Sequence, residues 1–172
     1  LDDVRLPAEC LLGRPGFGVS HVASTGLESG RYNLAWGCVG LAEACRIAAL
    51  DYVRSRAQFG ELIGEFQLVQ QLVARMTTDI HAARLMCQSA GIVRGQRAME
   101  AVKEATMAKY FASTMVNRVA RDAQQLHGAQ GIGPLTPLEM YFRDARIMEV
   151  IEGTTQILEI MIARFSYQEA QS

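Results

Sequence analysis

Apolar residues recur at steps of three and four along most of this chain. One stripe runs through Leu34, Cys38, Leu41, Cys45, Ala48 and Tyr52. A second joins Phe66, Val69, Val73, Met76, Ile80, Ala83, Cys87 and Ala90, and a third joins Val102, Ala105, Ala108, Ala112, Met115, Val119, Ala123 and Leu126. Steps of this length keep each stripe on one face of a helix, so the pattern predicts three long amphipathic helices, the first from Ser29 onward. Glycines cluster at 56–65 and 91–98, where the helices are expected to break, and no proline interrupts any of the three. Beyond the turn-rich Gly128–Pro134 stretch, Pro137 can occupy the first position of a short helix carrying Leu138 to Met148. A last helix is expected after Gly153, through Ile157, Ile160, Met161 and Arg164. Residues 1–25 hold Pro7, Gly13, Pro15, Gly16 and Gly18 and read as irregular or extended. No strand pair is predicted after residue 25. The expected fold is all-α, an antiparallel helical bundle over 26–165, with a short extended N-terminal lead at 1–25 and a frayed polar tail at 166–172.

Composition narrows the field. The 172 residues are 49% apolar and 20% charged with a net charge of −1, which gives no broad pull toward nucleic acid or an anionic membrane surface. No apolar run approaches the roughly 20 residues that span a bilayer. The opening Leu1-Asp2-Asp3-Val4-Arg5 has neither signal-peptide nor transit-peptide character, so the cytoplasm, or an organelle matrix in a eukaryote, is the expected setting. Cys10, Cys38, Cys45 and Cys87 form no C-x-x-C pair, Cys38 and Cys45 share a helix face, and the four read as buried reduced thiols. Gly13-Arg14-Pro15-Gly16-Phe17-Gly18 lacks the Lys-Ser/Thr of a phosphate loop. His21, His81 and His127 have no metal-ligand spacing.

Three segments carry chemistry. The first is Arg54-Ser55-Arg56-Ala57-Gln58-Phe59-Gly60, followed by Phe66-Gln67. The second is Gln124-Gln125-Leu126-His127-Gly128-Ala129-Gln130-Gly131, and the third is Phe142-Arg143-Asp144-Ala145-Arg146 with Ile151-Glu152-Gly153-Thr154-Thr155-Gln156-Ile157. Glu152 precedes a glycine and a predicted helix start, where a carboxylate feels the positive helix end; taken alone it reads as a helix cap or as a base. Taken alone, Arg56 is a surface cation, Phe59 a packing anchor and His127 a structural histidine.

In this order along one chain, the segments resemble the acyl-CoA dehydrogenase family. Leu1–Pro7 is similar to the family's exit from its middle β-domain. Arg56-x-x-Phe59-Gly60 with Phe66-Gln67, Gln125–Gly131, and Arg143-Asp144-Ala145 followed by Glu152-Gly153-Thr154 are similar to its R-x-x-F-G…Q, glycine-turn and R-D-A…E-G-T elements. The resemblance implies an FAD-dependent oxidation of an acyl thioester, carried by CoA or by an acyl-carrier protein, with Glu152 removing the α-proton. It implies FAD contacts at Arg56, Phe59, Phe66, Gln67, Gln125, Gly128, Ala129, Thr154 and Gln156, several of them to a neighbouring subunit's flavin in a homo-oligomer, a dimer or tetramer. Glu28, Arg31 and Gly153 fall on the substrate side. Some members carry the base just before the arginine of the first helix, where this chain has Gly30, which has no proton-accepting group. Gly30-Arg31-Tyr32 with Gly37–Leu41 is similar to the acyl-carrier-protein branch. Ala129 replaces the second glycine of the usual pair, and Ile151 replaces the aromatic residue before E-G-T. The family's N-terminal and middle domains are not in this sequence, so a complete active site is not expected from this chain alone. The rival reading is a non-catalytic helical oligomerisation module that kept the fold.

Overall fold

A computed structural model describes residues 2–96 and 100–170. Part of the break expected at 91–98, and the last two residues of the polar tail, lie outside the described residues. Among the described residues five α-helices follow one another: α1 (Ser24–Ser55), α2 (Gln67–Gly95), α3 (Ala101–His127), α4 (Leu138–Met148) and α5 (Thr155–Glu169). The all-α bundle expected from the stripes is what forms, with α3 at its centre against the other four helices.

The core is built from small side chains. Ala35, Cys38, Val39, Ala42, Cys45, Ala49 and Val53 line the inner face of α1. Met76, Ile80, Ala83, Cys87 and Ala90 line that of α2, and Ala108, Ala112, Met115, Val116, Val119, Ala120 and Ala123 belong to α3. Alanine and cysteine at the contact points let helix backbones approach closely and cost little side-chain entropy on burial. The α2 and α3 stripes match the expected ones closely. On α1, Cys38 and Cys45 of the expected stripe are fully buried together with Ala35, Ala42 and Ala49, while Leu34, Leu41, Ala48 and Tyr52 pack at the margin. The seam where α1 meets α3 admits the smaller side chains.

The ends of the elements differ from expectation in four places. First, α1 begins at Ser24 and is preceded by a π-helical turn over Gly18–Ala23, so the lead is helical before residue 25. Second, a two-residue antiparallel ladder, β1 (Ala57–Gln58) and β2 (Glu61–Leu62), forms where no strand pair was predicted. Phe59 (φ 55°) and Gly60 (φ 88°) close this hairpin with two consecutive positive φ values, the geometry whose twist suits a two-residue hairpin. Two-residue strands are too short to show an alternating pattern. Third, Pro137 is the residue before α4 rather than its first residue, and its carbonyl accepts from Tyr141 N at 3.0 Å. Fourth, α5 continues past Arg164 to Glu169, where Glu169 pairs with Lys103 of α3. Among the described residues no helix is long and apolar enough to cross a membrane.

Candidate active site

Between α4 and α5 the chain makes a tight turn whose backbone is costly. Glu152 has φ 57° and Gly153 has φ 98°. Glycine adopts such values freely, whereas a residue with a Cβ does so rarely and at a cost of order 1–3 kcal/mol. The helix that follows is capped at Thr154, without a side-chain capping bond, so Glu152 does not serve as its cap. Of the two readings open for Glu152, the structure removes the cap.

The turn is held from beneath by two buried cations. Arg31 of α1, 6% exposed, donates from Nε to the Glu152 carbonyl at 3.2 Å. Lys109 of α3, fully buried, donates from Nζ to the Gly153 carbonyl at 2.7 Å. Burial pulls the Arg31 guanidinium below its ordinary range, opposed by Glu152 and Glu28. Burial likewise lowers Lys109, opposed by Cys38, Glu149 and Glu152 and reinforced by Arg31. Both groups are costly to bury and are offset by carbonyls and carboxylates gathered at this one turn.

The Glu152 carboxyl lies directly against Gly30 of α1. A Cβ added at Gly30 would stand 2.5 Å from the carboxyl carbon and 2.8 Å from Oε1. The carboxylate thus fills the space that a side chain at position 30 would need. Two residues earlier on α1, Glu28 accepts from Arg94 Nε at 2.5 Å, and Arg94 also donates to the Ser29 hydroxyl at 3.0 Å and stacks over the Tyr32 ring. Glu28, Arg31 and Gly153, expected on the substrate side, therefore sit around Glu152 or next to it along α1. Thr154 and Gln156 are the adjoining residues at the start of α5, half-buried and exposed respectively.

A separate cleft of about 400 Å³ opens between the end of α1, the hairpin and the end of α3. Arg56, Gln58, Gln125, Gly128, Ala129 and Gln130 line it, so four of the residues expected to contact a flavin cofactor converge there. Gly128 ends α3 with φ 56° and ψ −137°, a conformation that favours glycine. Ala129 is exposed on the cleft wall. Beneath, His127 is 5% exposed, with Nδ1 2.9 Å from the Ala123 carbonyl and its ring stacked on Tyr52 at 4.2 Å. That is a structural histidine. Phe59, Phe66 and Gln67 do not line this cleft. Phe59 is 95% exposed at the hairpin tip, its ring edge-on to that of Phe66 at 6.4 Å, while Gln67 is exposed at the start of α2. A strained, solvent-facing aromatic residue packs too little to be explained by the fold of this chain alone.

Sequence reasoning missed Lys109. Its signal was present: it lies four residues after Ala105 and three before Ala112, on the buried face of α3. Gln58 and Gln130 lie within the singled-out segments but were not among the expected cofactor contacts, though both line the cleft.

Comparison with solved structures places this bundle among the helical domains of acyl thioester oxidoreductases. It superposes on butyryl-CoA dehydrogenase from Megasphaera elsdenii with a TM-score of 0.89 at 32% identity, covering 96% of this chain and 43% of that one. It superposes on the prolyl acyl carrier protein oxidase AnaB with a TM-score of 0.87 at 30% identity, covering 93% of this chain and 42% of that one. In sequence it is 37% identical to a glutaryl-CoA dehydrogenase of Desulfococcus multivorans over 163 residues, which is 95% of this chain and 42% of the relative. Residues 17–167 match the family described as acyl-CoA dehydrogenase, C-terminal domain. The chain belongs to the acyl-CoA dehydrogenase family and corresponds to its C-terminal domain. It spans less than half the length of these relatives.

Proposed function

We propose that this chain is the C-terminal domain of an FAD-dependent acyl thioester dehydrogenase in which Glu152 is the base that takes the substrate's α-proton. The observation that carries the reading is the fit of the Glu152 carboxyl against Gly30. A general base needs its oxygen held within hydrogen-bond reach of the proton it removes. Here the backbone adopts an unfavourable φ at Glu152, two buried cations hold the adjoining carbonyls, and a helix leaves out a side chain to make room. An oligomerisation module would have no use for that expense.

FAD, when bound, supplies the acceptor for the hydride that leaves the β-carbon. The residues of the cleft suit such a dinucleotide: Arg56 offers a guanidinium fork for phosphate oxygens, Gln58, Gln125 and Gln130 offer amides, and Gly128 and Ala129 offer backbone without bulk. Phe59, Phe66, Gln67, Thr154 and Gln156 lie outside this cleft and would meet FAD from other sides, including that of a neighbouring subunit. Exposed Phe59, Leu68, Ile132 and Leu135 supply apolar surface for self-association, as expected of a homo-oligomer. Glu28, Arg31 and Gly153 would flank the thioester, whether it is carried by CoA or by an acyl-carrier protein.

The test is Glu152→Gln in a full-length, flavin-loaded protein carrying this chain. The thioester is one that bleaches the wild-type flavin, drawn from a series that begins with butyryl-CoA and glutaryl-CoA. Glutamine keeps the size but takes up no proton at neutral pH. Anaerobic flavin bleaching should slow by about 10²–10⁴-fold while FAD and thioester still bind. Bleaching near the wild-type rate would refute the assignment.

A further inference from the structure

We propose that Lys109 is a positioning residue for Glu152, holding the left-handed turn through its hydrogen bond to the Gly153 carbonyl. The inference rests on the reading of Glu152 as the base, but the clamp itself is visible without it. Lys109 Nζ stands 2.7 Å from the Gly153 carbonyl and the residue has no exposed surface. Its partner carbonyl belongs to the second of two consecutive positive-φ residues. Glu152 and Gly153 lie on a connection between helices, where the backbone lacks the regular bonds of a helix. The Glu149 carbonyl accepts from Thr155 N at 3.1 Å, which closes the loop across its base. Among the described residues, the carbonyls at its apex are held by side chains alone, Arg31 on Glu152 and Lys109 on Gly153.

These two clamps come from different helices. Arg31 belongs to α1, and Gly30 beside it is also the surface on which the Glu152 carboxyl rests. Lys109 reaches the turn from α3, the central helix, so it fixes the apex to the core independently of α1. A lysine suits the task because its long apolar stem crosses the core while its ammonium reaches one carbonyl. The cost of burying that ammonium is accepted beside a hydrophobic core of alanine, cysteine, valine, isoleucine, leucine and methionine. Removing the donor would leave the Gly153 carbonyl without this partner and free the turn to relax toward ordinary φ values. The Glu152 carboxyl would then leave its place against Gly30.

Lys109→Met preserves length and burial and removes the donor. In the full-length, flavin-loaded protein, two readouts are taken. Backbone amide exchange in the peptide covering 149–158 should quicken about tenfold, with the peptides of α3 unchanged. Flavin bleaching should slow by about 10–100-fold, because a base displaced by an ångström loses that order of rate. FAD content and thioester Kd should stay within about twofold, a split that general loss of structure would not produce. Lys109→Arg, which keeps a cationic donor, should recover most of both effects. Unchanged exchange, or unchanged bleaching, in Lys109→Met overturns the proposal. If neither variant folds, the proposal also fails, because a lysine needed only for one turn is not needed by the whole bundle. Normal bleaching by Glu152→Gln alongside quickened exchange in Lys109→Met would instead strike the base assignment and leave the clamp standing.

Discussion

Gly30 shows how much of a site can rest on a missing side chain. In the middle of a long helix, glycine costs about 1 kcal/mol relative to alanine. The three heavy atoms nearest to where its Cβ would be all belong to the Glu152 carboxyl. Gly30→Ala should therefore separate stability from chemistry. The helix gains propensity, so the thermal midpoint should hold or rise by a few degrees. The methyl displaces the carboxyl, so flavin bleaching in the full-length protein should slow by about tenfold or more. Equal rates for the two proteins, compared by anaerobic mixing, would show that the contact is incidental. At this scale the sequence was informative about Glu152, whose neighbours in the chain form a motif; for Lys109 its spacing marks the buried face of α3 but not its partner Gly153, which is distant in sequence. It also left open whether Glu152 caps a helix. The answer required the backbone, which puts Thr154 at the cap and Glu152 in the left-handed region.

Among the elements, the hairpin after α1 is the one whose form the sequence hid and whose content it revealed. Arg56 and Phe59 stood out as part of a motif, yet β1 and β2 are only two residues each and the turn depends on a phenylalanine at φ 55°. The ladder pairs Ala57 with Leu62 and Gln58 with Glu61, and the Arg56 carbonyl accepts from Ile63 N at 2.9 Å. That bond anchors the backbone of Arg56 at the mouth of the cleft, leaving its exposed side chain free to reach a ligand. Arg56→Ala should weaken FAD retention by roughly 1.5–3 kcal/mol, the scale of a charge-assisted contact, with little change in the proton-transfer step of whatever flavin-loaded protein remains. Titration of the apoprotein with FAD measures this. Unaltered affinity would remove Arg56 from the phosphate site. The long helices were legible because each repeats its signal over many turns. Their ends were not: the π-turn at Gly18–Ala23 shows no apolar stripe, and α5 continues to Glu169, which pairs with Lys103 of a distant helix.

In the molecule as a whole, the core is lined with thiols that the fold keeps protonated. Burial pushes Cys38 and Cys45 up to about 12 and Cys87 up to about 11, whereas Cys10 is exposed. An unfolded thiol ionises near about 8.5. The folded state holds its protons more tightly, so the stability these groups contribute is intact below that pH and is lost as pH climbs toward their folded values. Native protein at pH 8 should alkylate at Cys10 alone, and a chemical denaturation series from pH 8 to 11 should show the midpoint falling. Rapid labelling of all four cysteines at pH 8 would contradict the packing. The bundle and its thiols could be foreseen from periodicity. What could not is that α1 and the turn before α5 meet at one point. There the backbone of one helix and the acid of a distant turn share a single volume, with a consequence for how such proteins diversify. The position just before Arg31 and the position of Glu152 cannot change independently. An acid that arose on the helix while Glu152 remained would crowd two negative charges into a space shaped for one, and, with Glu152 as the proposed base, a lineage that lost it first would pass through an inert ancestor. Under that proposal, moving the base from one address to the other demands paired replacement, which makes each arrangement a historical commitment rather than a freely tuned choice.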